Sequence, residues 1–161
     1  MQEMLSLAEG FPTRALDAGE VLLVDGQPVP ALYVLLEGEL RVAKGGAAIA
    51  MVTEPGSCVG EMSLLLGVPA TADVAAATGS VLAVIDDARV LLENDPTLPL
   101  ALAQLLAVRL QAMTTYLADL KHQYADHEGG LGMVDVVLGT LMQTSATRTQ
   151  LGSDRDPDPE Y

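Results

Sequence analysis

Residues 60–74 read GEMSLLLGVPATADV. Gly60 permits a tight backbone turn, and the apolar residues after it begin a short helix. The free N–H groups at such a helix start, with the positive end of its dipole, suit an anionic phosphate. The fold around this turn follows from what flanks it.

From Ala18 to about Ile85, short apolar runs alternate with glycines. The runs are VLLV (21–24), ALYVLLEG (31–38), ELRVAKG (39–45), AIAMV (48–52), ADVAAA (72–77) and SVLAVI (80–85), and Gly19, Gly26, Gly38, Gly56, Gly60 and Gly79 mark the turns. This spacing predicts a small antiparallel barrel or sandwich. The second half is helical. DDARVLLEN gives a short helix after an Asp cap, and Asp95-Pro96 then caps a long one, with Pro99 blurring its start by about a turn.

The long helix runs from about Leu98 to Tyr124, with no Gly or Pro after Pro99. Ala103, Leu106, Leu110, Met113, Leu117, Leu120 and Tyr124 follow alternating steps of three and four, the seam that a coiled coil buries. A second stripe of Leu102, Leu105, Ala112 and Tyr116 is expected to lie on the barrel. Two stripes imply two partners, the chain's own barrel and a second subunit.

The 161 residues suit one domain with modest extras, and half of them are hydrophobic. Eight Lys+Arg against 22 Asp+Glu give a net charge of −14, which disfavours nucleic acid and anionic membranes. The single cysteine, Cys58, cannot form an internal disulfide and fits a reducing cytoplasm. The start lacks a basic segment, so no signal peptide is expected. LPLALAQLLAVRL has about a dozen residues and includes Gln104 and Arg109, so no membrane span is expected either.

Taken together, GEVLLVDG, LYVLLEGELRV, EPGSCVGEMSLLLG, VLAVID and ENDP with its long helix resemble a cyclic-nucleotide-binding domain over about residues 18 to 122. This is the module of the catabolite activator protein, of protein kinase A regulatory subunits and of cyclic-nucleotide-gated channels. The resemblance implies an α+β fold: an antiparallel β-roll (a double-stranded β-helix, or jelly roll) of about eight strands, then a short helix and a long dimerisation helix. The chain then divides into a helical lead-in over 1–17, the domain over 18–127 with its long helix at about 98–127, a short amphipathic helix over 128–143, and a disordered acidic tail over 144–161.

By match to the family, the ligand site comprises Gly60, Glu61, Met62 and Ser63, with Glu61 on the ribose 2′-hydroxyl. The arginine that neutralises the cyclic phosphate falls on Ala70, with Thr71 beside it. A charge-assisted arginine–phosphate contact contributes about 1.5–3 kcal/mol. Its loss implies binding weaker by about ten- to hundredfold. Thr71 and backbone amides can hydrogen-bond a phosphate but cannot neutralise it. Arg41, Arg89 and Arg109 could substitute; Arg109 is the best placed, unless it forms a solvated or inter-subunit salt bridge. Aligning Arg-Leu-Gln at 109–111 sets Thr114 and Thr115 at the base, unless they are ordinary helix-surface threonines.

About 34 residues follow His127, too few for the helix-turn-helix of the DNA-binding members, so direct DNA reading is not expected. His122 and His127 are five apart and do not share a helix face, so no metal site is expected. No paired nucleophile and base, and no cofactor motif, suggests an enzyme. Two functions remain. The first is a non-catalytic regulator sensing a small anionic effector, such as a weakly held cyclic nucleotide, and signalling to a separate protein. The second is a ligand-independent dimeric interaction module.

Overall fold

The computed structural model describes residues 2–123 and residues 136, 137, 139 and 140. The readings of a helix over 128–143 and a tail over 144–161 therefore lie largely outside the described residues, as does Tyr124. The chain resolves into two units, Met1–Leu110 and Gln111–Tyr161.

The first unit begins with α1 (Gln2–Ala8) and β1 (Thr13–Leu16). Next come β2 (Val21–Leu23), β3 (Leu32–Glu37), β4 (Leu40–Lys44), β5 (Ala47–Val52) and β6 (Cys58–Val59). α2 (Glu61–Leu66), β7 (Asp73–Ala76), β8 (Ser80–Ile85), α3 (Ala88–Asn94) and α4 (Thr97–Gln123) complete the order, the last crossing into the second unit. Two antiparallel four-stranded sheets, β1-β8-β3-β6 and β2-β7-β4-β5, form the expected roll.

Two of the eight strands differ from the sequence expectation. β1 lies inside the stretch read as a helical lead-in, where Thr13–Leu16 pairs with Ala83–Ser80 of β8. β6 is two residues long and pairs with Tyr33 and Val34 of β3. Neither carries an apolar alternation long enough to read.

β3 is buried on both faces, so it reads as a continuous apolar run. Leu32 and Val34 face the helices, packing with Met4, Ala83, Ile85 and Leu98. Tyr33 and Leu35 face the roll interior with Leu40, Val74 and Leu82. One strand thus belongs to two cores, and the helical layer is fixed to the roll through it.

α4 starts as its cap predicts. Asp95 Oδ1 accepts a hydrogen bond from the Thr97 N–H at 2.8 Å, and Pro99 sits in the first turn, where no amide partner is needed. Leu98, Ala101, Leu102 and Leu105 are buried in the helix-side core. The expected barrel-facing stripe holds for Leu102 and Leu105, while Ala112 and Tyr116 belong to the second unit. In the seam, Leu106, Leu117 and Leu120 are half-buried while Ala103, Leu110 and Met113 are exposed.

Contrary to the reading from the shorter apolar run, Thr97–Leu120 is long and apolar enough to cross a membrane, with a mean hydropathy of 1.2. Its first turns are nevertheless packed into the core of the first unit.

Candidate functional site

Gly60 adopts φ +92° immediately before α2. A Cβ there would lie 2.9 Å from the Ala31 carbonyl oxygen and 3.1 Å from Val29 Cγ1, so both conformation and space require glycine. The turn carries Glu61 inward. Its side chain is only 6% exposed, although a carboxylate is rarely buried without a partner.

That partner is Arg109. Its Nη1 donates to Glu61 Oε1, and its Nη2 donates to the Cys58 carbonyl at 2.7 Å. The guanidinium therefore spans β6 and the start of α2 from its place on α4. Sequence reasoning set Arg109 against a ligand phosphate, or in a solvated or inter-subunit bridge; instead it closes an ion pair within the chain. Burial pushes the Cys58 thiol up to about 12, and the Glu61 carboxylate adds to the rise, so Cys58 is a packed hydrophobe rather than a nucleophile.

Ala70 is buried in the roll interior, in the same core cluster as Ala31 and Val59. Its N–H donates to the Gln27 carbonyl and its carbonyl accepts from the Gly26 N–H, both at 2.8 Å. The backbone at this position is thus held firmly while its side chain supplies no charge. Thr71 is exposed, and its carbonyl accepts a hydrogen bond from Lys44 Nζ. Lys44 also pairs with Asp25 Oδ2 at 3.4 Å, and the Asp25 N–H donates to Asp73 Oδ1 at 2.8 Å. Sequence spacing gave no sign of this cluster, because its members come from three separate segments.

Met62 is exposed and Ser63 half-buried on α2. Thr114, half-buried, and Thr115, exposed, belong to the second unit on α4. Arg41 is exposed on β4. Arg89 Nη2 donates to the Leu64 carbonyl at 3.1 Å and lines a cavity of about 240 Å³ with Gly60, Ser63, Val29, Val68 and Asp86. Glu61, Ala70 and Thr71 do not line that cavity, so it lies beside the Glu61 carboxylate rather than over it. Among the described residues no cluster of His, Cys, Asp and Glu could hold a metal.

Residues 13–92 match the family model of the cyclic nucleotide-binding domain. Over 69 residues the chain is 36% identical to the cGMP-dependent protein kinase egl-4 of Caenorhabditis briggsae and of Caenorhabditis elegans; this covers 43% of the chain and 9% of those kinases. The structure is similar to the catabolite activator protein of Thermus thermophilus (29% identity, TM-score 0.59, 75% of this chain and 60% of that one). It is also similar to a cyclic nucleotide-binding domain from Methylobacillus flagellatus (25% identity, TM-score 0.57, 69% of this chain and 78% of that one). With its two-sheet roll and short α2 after Gly60-Glu61, the chain carries a cyclic nucleotide-binding domain, similar to that of the catabolite activator protein.

Proposed function

We propose that this protein is a non-catalytic regulatory sensor. Its ligand site is the turn Gly60–Ser63 with Ala70 and Thr71, and α4 carries the response to a separate protein. The observation that carries this reading is the Arg109–Glu61 pair. It joins the first residue of α2 to α4, so a ligand that engages Glu61 must alter a contact made by the long helix. A cyclic nucleotide would be held weakly, because Ala70 brings no cation to it. The protein works without a cofactor, in the cytoplasm, as a homodimer. Leu106, Leu110, Met113, Leu117 and Leu120 on α4 form the shared seam.

A second reading has its own support. Ala70 is buried among apolar neighbours, and Arg109 is already occupied by Glu61 and the Cys58 carbonyl. A domain so satisfied could serve as a ligand-independent dimeric module. Amide hydrogen exchange separates the two. A sensor gains protection at Gly60–Ser63 and changed exchange along α4 when millimolar cyclic AMP or cyclic GMP is added. A ligand-independent module shows unchanged exchange throughout.

A further inference from the structure

Building on the sensor reading, we infer that the site selects an uncharged, hydroxyl-bearing ligand of the nucleoside class over its anionic phosphate counterpart. The inference rests on how charge is distributed around the turn. Glu61 and Arg109 neutralise each other at the start of α2. At the Ala70–Thr71 side, Lys44 is the cation, and it is held between the Thr71 carbonyl and Asp25. Asp25 in turn donates its N–H to Asp73, which brings a further carboxylate. Along α2, Arg89 is tied to the Leu64 carbonyl and shares its cavity with Asp86.

Among the described residues, these contacts set four carboxylates against three cations, and each cation is already engaged. An anion arriving between these pairs meets cations already engaged and one carboxylate in excess, in a chain of net charge −14. Hydroxyl groups meet the opposite situation. A carboxylate is an acceptor of hydrogen bonds, and an uncharged sugar can donate to it without bringing charge of its own. The backbone path that holds Ala70, through Gln27 and Gly26, needs no cation either.

The test is calorimetric titration of the full chain with adenosine, guanosine and their 3′,5′-cyclic monophosphates at low and moderate salt. The nucleosides are expected to bind more tightly by about tenfold or more at low salt, with the gap narrowing as salt screens the repulsion. Asp73→Asn keeps the oxygen that accepts from Asp25 and removes one charge. It should narrow the preference by tightening the cyclic nucleotides while leaving nucleoside affinity within about twofold. Tighter binding of the cyclic nucleotides by the native chain would overturn the charge inference and leave the sensor reading standing. No binding of any of the four would overturn the sensor reading, and the inference with it.

Discussion

Arg109 on α4 and Glu61 at the first position of α2 lie 48 residues apart in sequence and form one ion pair, with the carboxylate buried and the guanidinium about one-third exposed. This contact makes the turn and the long helix mechanically interdependent.

Removing the cation alone leaves Glu61 buried and unpaired. Arg109→Met should destabilise the fold by about 1–3 kcal/mol, less than a fully buried pair would cost because the guanidinium reaches solvent. Adding Glu61→Gln should recover part of that loss. Urea unfolding of the two single variants and the double variant measures the coupling, and strict additivity would show that the pair does not act as a unit.

The glycines differ in what surrounds them. At Gly38 a Cβ would lie 2.4 Å from the Gly79 carbonyl oxygen, at Gly60 2.9 Å from that of Ala31, and at Gly26 it meets nothing within 4 Å. All three have positive φ. Alanine at Gly26 should cost only the conformational penalty, about 1 kcal/mol. Gly60→Ala should cost more and Gly38→Ala most, an order that thermal unfolding can rank.

α4 is anchored by its first turns. Leu102→Ala should cost about 2–4 kcal/mol, because its side chain is enclosed in the helix-side core. Val108→Ala, at 64% exposure, should change stability by less than about 0.5 kcal/mol. If the exposed Met113 forms the subunit seam, light scattering should return twice the chain mass of 16.8 kDa, and Met113→Lys should return a monomer.

Alkaline stability follows from Cys58. Burial pushes its thiol from the ordinary value of 9.0 up to about 12. Between these values the unfolded chain holds fewer protons than the folded one, so stability falls as pH rises through this window. Tyr33, raised mainly by burial, acts in the same direction above its ordinary value of 10.0. Cys58→Ala should flatten the decline between pH 9 and 10 in denaturation measured across that range.

Much of the roll was legible because glycines punctuate it: SVLAVI at 80–85 coincides with β8, and β3 stands out as an unbroken apolar run. β1 was not, because TRAL mixes polar and apolar residues over four positions and is made a strand by β8 beside it. β6 has two residues and exists through β3 alone. In the site, Gly60-Glu61 and the importance of Arg109 could be read from order and spacing. Their pairing could not, since it depends on α4 being packed against the roll through Leu98, Leu102 and Leu105. The Lys44–Asp25–Asp73 cluster was invisible for a related reason: its three segments meet only once β2, β7 and β4 pair in one sheet.

The most direct test of the account is calorimetric titration of cyclic AMP and cyclic GMP into the native chain and into Ala70→Arg, with thermal unfolding to confirm that the variant is folded. The account predicts weak binding by the native chain and binding tighter by about ten- to hundredfold in the variant, because one charge-assisted contact is added to an otherwise intact turn. A folded Ala70→Arg variant that binds no better than the native chain would contradict it, since the turn at Gly60–Ser63 would then not be facing a ligand phosphate at residue 70.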